Sequence, residues 1–159
     1  MELEIDNELL IESNNFYIKI FPIETELNYL PSFGAKIDCK IYPTIKLQYN
    51  YTDRIWFKLE DFDKFVTDVQ GIVTGTREIA ELNSMSQPAI FIISKSGNYS
   101  KFTINFDAGF SFAEDGRRIQ VTTSFLEEYD LINILSRSVT EFWRNFKCLL
   151  REGNPSITI

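Results

Sequence analysis

The chain has 159 residues, including 14 phenylalanines and no histidine, and carries a formal net charge of −7. The absence of histidine excludes Ser-His-Asp triads, Cys-His pairs and histidine-bearing metal sites, and the negative charge argues against nucleic acid, whose phosphates would be repelled. The length and the apolar content predict one globular domain over residues 1–159.

The N-terminal part of the chain predicts strands. Residues 3–5 have the apolar content of a short first strand. Residues 16–23 alternate between two faces, which is typical of a longer strand. Residues 24–34 contain asparagine, proline, serine and glycine, so we interpret this segment as a loop.

Residues 37–51 show the clearest periodicity in the chain. Odd positions are apolar and even positions are polar, as an antiparallel sheet with one wet face requires. The alternation continues through Pro43, which leaves two interpretations open: one long bent strand near a sheet edge, or two strands broken there. Residues 55–58 are expected to add a short strand.

Two amphipathic helices are predicted. Apolar residues at helical spacing over residues 62–73 define the first helix, and Gly75 is its expected C-terminal stop. Residues 77–83 are expected to add a short turn of helix or strand. The second helix covers residues 129–150, with basic residues on its polar side and in its last turns.

The segment between the helices predicts three more strands. Residues 89–93 are an unbroken apolar run, as in a central strand buried on both faces. Ser96-Gly97-Asn98 is a hairpin turn signal, and alternating strands follow at residues 102–106 and 119–125. Residues 107–116 are interpreted as a loop that contains glycine and acidic residues.

This order of strands and helices favours the α+β class. We predict an antiparallel sheet of about six strands with two amphipathic helices packed on one face.

Candidate chemistry is sparse. Cys39 and Cys148 occupy apolar-face positions at no zinc-site spacing, and two buried, reduced thiols are expected. Asp107, Glu114 and Asp115 share a loop and could bind calcium, but their spacing does not match an EF-hand. No cofactor or metal is therefore expected. Another group of carboxylates is explained by the dipole at the start of the first helix; it comprises Glu60, Asp61, Asp63 and Asp68.

Charge is distributed unevenly. Residues 1–30 hold seven acidic residues against Lys19 alone, whereas residues 130–151 hold four basic residues against two acidic ones. An acidic surface suits a basic partner and also favours solubility. Exposed aromatic residues anchor interfaces, although Phe110 and Phe112, with Tyr49 and Tyr51, would equally complete the core at the end of the sheet. The candidate partner-binding residues are Glu24, Glu26, Asp107, Phe110, Phe112, Glu114 and Asp115.

Short motifs follow one another in a familiar layout. Trp56 precedes a helix opened by Leu59-Glu60-Asp61-Phe62, and a Gly75…Ala80-Glu81-Leu82 stretch follows. The last helix is opened by Leu126-Glu127-Glu128-Tyr129. Over residues 15–150 this layout resembles the WapI-type immunity proteins of bacterial contact-dependent or polymorphic toxin systems. The resemblance implies a small cytoplasmic protein that binds and neutralises a cognate toxin, often a nuclease.

We therefore expect a non-enzymatic binding protein whose partner is a basic toxin polypeptide, with no role for nucleic acid or membrane. An acidic inhibitor is steered to the basic cleft of a nuclease and can occupy it. The acidic start of the chain lacks the basic and apolar regions of a secretory signal, so a cytoplasmic location is expected.

Two alternatives stay open. One is a structural protein that forms a homodimer or larger homo-oligomer through aromatic residues on an exposed sheet face. The other is a small-molecule-binding domain or a carboxylate-based hydrolase, which requires a concave pocket that holds two or more acids.

Overall fold

The computed structural model describes residues 7–44, 46–107, 120–128 and 130–153. Within this part of the chain, eight strands and two helices are formed. In chain order they are β1 (Leu9–Glu12), β2 (Phe16–Glu26), β3 (Ser32–Thr44), β4 (Leu47–Lys58), α1 (Leu59–Thr74), β5 (Ile79–Leu82), β6 (Phe91–Ser96), β7 (Tyr99–Asp107), β8 (Gln120–Glu128) and α2 (Asp130–Gly153).

The strands form two antiparallel sheets rather than one. The first sheet has the order β1-β2-β3-β4 and the second the order β5-β6-β7-β8, so each has four strands. The predicted α+β class is confirmed, and the single sheet of six strands is wrong. Alternation along a strand shows which side is buried, but it does not show after which hairpin one sheet ends and the next begins.

The alternating segment 37–51 belongs to two strands. β3 and β4 pair with Cys39 opposite Tyr51 and Ile41 opposite Tyr49, so the two-strand interpretation is confirmed. Residues 55–58 are not a separate short strand, because β4 runs through them to Lys58.

The prediction of a loop over residues 24–34 is largely wrong. β2 continues to Glu26 and β3 begins at Ser32, with a shift of register between Pro22 and Glu24. A bulge of this kind accommodates a proline within a strand.

Gly34 lies inside β3, where an added Cβ would approach Glu24 Oε1 to 2.9 Å and the Trp56 ring to 3.1 Å. This glycine therefore makes room for a close contact within the sheet and marks no turn.

The remaining strands partly follow the sequence patterns. The predicted strand at residues 3–5 lies outside the described residues, whereas β1 was not predicted. Within residues 77–83, predicted to form a short turn of helix or strand, Ile79–Leu82 form the strand β5. The hairpin between β6 and β7 is confirmed, with Gly97 at φ +60° in the turn. The run 89–93 enters the strand β6 only at Phe91. Two of its residues, Ala89 and Ile92, are half-buried, so the predicted burial on both faces is incomplete.

Both helices form where predicted. α1 ends at Thr74. Gly75 caps it with a φ of +80° and a backbone N–H bonded to the Gly71 and Ile72 carbonyls, as predicted. α2 extends to Gly153, beyond the predicted end at residue 150. No helix among the described residues is long and apolar enough to cross a membrane.

Aromatic rings join these elements into one buried apolar cluster. Phe16 of the first sheet contacts three rings of the second sheet at centroid distances of 5.5 to 6.1 Å, those of Phe91, Phe102 and Phe125. Farther along the first sheet, Phe33 contacts α1 through Phe62 and α2 through Trp143 and Phe146. The second sheet and the helices thus pack against the first sheet at different places.

The two cysteines differ in environment. Cys39 is fully buried on the inner side of β3, and burial raises the pKa of its thiol to about 12. Cys148 is exposed on α2, so the predicted pair of buried thiols is wrong for this residue.

Candidate functional site

The predicted partner-binding residues are only partly described. Glu24 forms an ion pair with Arg54, and Glu26 is exposed and accepts a 2.8 Å hydrogen bond from the Asn28 backbone N–H. Asp107 ends β7, opposite Gln120 of β8. Four other predicted residues lie outside the described part of the chain: Phe110, Phe112, Glu114 and Asp115.

Part of the acidity near the N-terminus is neutralised in the fold. Glu8 bonds to Lys19 at 2.6 Å, and this hydrogen bond raises the lysine pKa. Together with the Glu24–Arg54 pair, it shows that cross-strand neighbours offset charges that the sequence count treats as free.

A shallow depression lies over the outer side of the first sheet. It has a volume of about 350 Å³ and is lined by Glu8, Lys19, Phe21, Lys36 and Asp38. Its two acids are interleaved with two lysines, and one acid is ion-paired. The hydrolase alternative requires a pocket that holds two or more acids, and this depression and a second one of about 300 Å³, lined by Glu8 and Glu141, both have two.

The outer face of the second sheet has a different character. We call this surface, made by the outward-pointing side chains of β5 to β8, the second-sheet face. Three of its apolar side chains are strongly exposed: Ile79 at 48%, Tyr99 at 54% and Leu126 at 60%. Its other described residues are Glu81, Ile92, Ser94, Ser96, Lys101, Thr103, Asn105, Thr122, Ser124 and Glu128.

Strand register groups the apolar residues of this face into two pairs. Tyr99 lies opposite Glu128 while Leu126 lies opposite Lys101, so Tyr99 and Leu126 are diagonal neighbours. By the same argument Ile79 and Ile92 are diagonal neighbours on the same face, in the half of the sheet formed by β5 and β6. Diagonal neighbours are about 7–8 Å apart, within reach of large side chains.

Apart from three charged residues, the described part of the face around these pairs is rich in hydroxyl groups. Thr103 and Ser124 are hydrogen-bonded at 2.9 Å, and Thr122 donates to Asn105 at 3.0 Å. The charged residues are Glu81, Lys101 and Glu128. Depletion of charge together with exposed aromatic and aliphatic side chains characterises the centres of protein interfaces.

The outer side of the first sheet contrasts with this surface. It alternates acids and bases across neighbouring strands, and Lys40 lies 5.3 Å from the centre of the Tyr17 ring. The second-sheet face is therefore the better protein-binding candidate of the two.

Of the predicted aromatic patch, Tyr49 and Tyr51 are among the described residues. Tyr51 stacks on Phe106 at a centroid distance of 4.2 Å, so it packs between the two sheets. Tyr49 is 46% exposed. Of the predicted loop at residues 107–116, only Asp107 is among the described residues, and it is the last residue of β7.

The sequence contains a signal for this face within the alternation of β7 and β8, although the sequence analysis did not use it. Leu126 occupies the same parity as Thr122 and Ser124, and Tyr99 the same parity as Lys101 and Thr103. A large apolar residue in the polar register of a strand indicates an exposed apolar group.

Two of the carboxylates in α1 make contacts that the helix dipole does not explain. Asp63 accepts hydrogen bonds from Trp143 and Lys147 of α2. Asp68 is buried and ion-paired with Lys64 at 2.6 Å and with Arg77 at 3.3 Å. No group of three or more metal-ligating side chains is assembled among the described residues. The proposed calcium loop lies mostly beyond them.

Comparison with protein-family models, with curated proteins and with solved structures found no match for this chain. Any assignment of function therefore depends on the surface itself.

Proposed function

We propose that this chain is a non-enzymatic binding protein that neutralises a cognate toxin polypeptide, and that it binds the toxin through the second-sheet face. The supporting observation is the exposure of Tyr99 and Leu126 side by side on a surface with few charges. Tyrosine supplies a large contact area with a polar end, and such residues dominate the energy of interfaces. The resemblance to immunity proteins supplies the class of partner.

The net charge of −7 favours a basic partner. Glu81 on β5 and Glu128 on β8 stand on opposite edge strands of the second sheet. In this position they would steer a positively charged surface towards the apolar pairs next to them. Charges at the rim mainly accelerate association, whereas the apolar centre determines how long the complex lasts.

The test uses the toxin domain encoded beside this chain. The C-terminal domain of a neighbouring large secreted protein is produced in cells with and without the chain, and growth is measured. We expect the chain to restore growth and to form a one-to-one complex that salt weakens. If the purified domain neither binds nor is neutralised, the proposed function is rejected.

The face is tested with a double substitution and a matched control. Tyr99→Ala with Leu126→Ala removes the apolar pair, and binding should weaken at least about a hundredfold. Tyr29→Ala with Leu30→Ala removes the same residue types from the β2–β3 connection, where Tyr29 is 96% exposed, and should leave affinity unchanged. Equal affinities for the two double variants would place the toxin contact elsewhere.

Self-association is the second candidate function, because the same apolar pairs could meet their copies across a twofold axis. Light scattering at high protein concentration separates the two ideas. A homodimer that Tyr99→Ala with Leu126→Ala converts to monomer would favour this candidate. A strict monomer would exclude it.

A further inference from the structure

The outermost strands of the two sheets differ in how well their free edges are protected. These strands are β1 and β4 in the first sheet and β5 and β8 in the second. An edge strand can pair with another chain, and proteins usually prevent this by short length, charged residues, proline or a covering segment. β1 and β5 have four residues each, and they contact α2 and α1 respectively. β4 carries charged residues, and its Trp56 carbonyl accepts a 2.8 Å bond from the Met85 N–H.

β8 has none of these protections within the described part of the chain. It pairs with β7 over nine residues without a shift of register. Residues 120–126 of this strand include no proline and no charged residue. No backbone hydrogen bond from another described residue reaches its outer side. We call this outer side of the strand Gln120–Glu128 the β8 edge.

The inward-pointing side chains of β8 are also incompletely covered. Val121, Thr123 and Phe125 are half-buried, whereas the residues opposite them on β7 are buried. Phe125 packs on the Phe16 ring of the first sheet at a centroid distance of 5.9 Å, so its uncovered part faces the edge of the core. A further strand beside β8 would therefore bury apolar surface in addition to pairing backbone groups.

We propose that two copies of this chain pair antiparallel through the β8 edge, about a twofold axis at Ser124. The two second sheets then form one continuous sheet of eight strands. A twofold contact requires a strand that is complementary to itself. In this register Glu127 lies opposite Val121 of the second copy, and Glu128 opposite Gln120, so the acids of the two copies do not face each other.

The same register places apolar groups together on the inner side of the sheet. Phe125 lies opposite Thr123 of the second copy and diagonal to the second Phe125, at about 7–8 Å, within reach of an aromatic ring. The second-sheet faces of both copies stay exposed on one side of the joined sheet. The pairing is therefore independent of the proposed toxin contact.

Sedimentation equilibrium at protein concentrations up to about 1 mM tests this contact. We expect a homodimer that Ser124→Lys weakens about tenfold or more, because two lysines would meet at the axis and like charges directly opposite each other destabilise a sheet. Thr103→Lys is the matched control. It adds the same charge to the same face and removes the same 2.9 Å bond between Thr103 and Ser124, but it lies one strand inside the edge. It should leave the dimer unchanged.

Disulfide cross-linking provides an independent readout. Position 124 of the two copies would be about 5 Å apart, within the reach of a disulfide, whereas position 103 of the two copies would be three strand spacings apart, about 14 Å. Cys148 is exposed and is first replaced by serine. In that background Ser124→Cys should form a cross-linked dimer on mild oxidation, and Thr103→Cys should not.

A strict monomer would overturn the proposal, as would equal cross-linking of Ser124→Cys and Thr103→Cys. A dimer that Ser124→Lys and Thr103→Lys weaken equally would place the contact on the second-sheet face, and a dimer that neither variant weakens would place it elsewhere. Either result would reject pairing through the β8 edge. None of these results decides whether the chain neutralises a toxin, which the growth assay measures separately.

Discussion

Trp143 donates its indole N–H to the carboxylate of Asp63 across a distance of 2.7 Å, and this bond joins the two helices. Lys147 contacts the same oxygen at 3.1 Å and lies 5.6 Å from the centre of the Trp143 ring. Partial burial alone would raise the pKa of Asp63, but the bonds from Trp143 and Lys147 outweigh it and hold the pKa below its ordinary value.

Substitution of Asp63 should lower the free energy of unfolding in a way that depends on pH. Asp63→Ala leaves the indole N–H without its partner and should cost about 1–3 kcal/mol at neutral pH. Asp63→Asn keeps an acceptor oxygen and removes only the charge. Because the side chain is 51% exposed, that loss should stay below about 1 kcal/mol.

The pH dependence has a definite sign. A lowered pKa in the folded state stabilises the protein above the ordinary carboxyl pKa, and this contribution is lost as the pH falls through the folded pKa. The difference between Asp63→Asn and the unaltered protein should therefore vanish in acid. Urea denaturation at neutral and acidic pH measures it, with Glu60→Gln as a control at an exposed position of the same helix. A constant difference at both pH values would contradict this prediction.

Glu127 should be important for the attachment of the two sheets to each other. Its Oε1 accepts bonds of 2.7 Å from Ser13 and from Asn15, both in the β1–β2 turn. Glu127→Ala removes both bonds and should lower the free energy of unfolding by about 1.5–3 kcal/mol. The neighbouring Glu128 is exposed on the outer face, and Glu128→Ala should change stability by less than about 0.5 kcal/mol. Thermal unfolding of the two variants side by side provides the comparison.

Gly71→Ala should destabilise the protein, although alanine ordinarily favours a helix over glycine by about 1 kcal/mol. An added Cβ would lie 2.5 Å from Arg77 Cγ and 3.0 Å from Arg77 Cβ, atoms close to the backbone that cannot move aside easily. The overlap should outweigh the helical preference and cost about 1–3 kcal/mol. In a double-mutant cycle, Arg77→Ala should reduce the cost of Gly71→Ala. A gain in stability on Gly71→Ala would show that the segment after α1 rearranges freely.

Ser100 and Ser84 are both buried serines, but they should respond oppositely to replacement by alanine. The Ser100 hydroxyl is fully buried and makes no hydrogen bond with any described residue, so Ser100→Ala should be neutral or stabilise by up to about 1 kcal/mol. The Ser84 hydroxyl accepts from the Gln87 N–H at 2.9 Å and donates to the Gln87 carbonyl at 3.0 Å. Ser84→Ala should therefore cost about 1–2 kcal/mol. Chemical denaturation of the two single variants tests the contrast.

Local patterns predicted the elements whose character is fixed within a few residues. The helical stripe of α1, its end at Gly75 and the turn at Gly97 were all predictable, because spacing and positive φ angles are local properties. The extension of β2 and β3 into the segment 24–34, which was predicted to be a loop, could not be predicted from local patterns. Phe33 is fully buried there because β4 pairs beside it and Phe146 packs on it from the far end of the chain. No window of neighbouring residues contains that information.

The candidate site was predicted even less completely. Charge counting pointed to Glu24, but the count could not show that Arg54 lies beside it across the sheet. Tyr99 and Leu126 form a pair only through the register between β7 and β8. Surfaces built from cross-strand neighbours depend on pairing, and pairing is a tertiary property.

The packing of Phe33 against Trp143 and Phe146 also bears on the order of events during synthesis. Translation produces α2 after every other described element, although its side chains cover part of the first sheet to be made. A nascent chain that already contains β1 to β4 therefore presents an uncovered apolar surface until α2 has been made. Such a surface attracts chaperones and other nascent chains, so completion of the core must await the synthesis of α2.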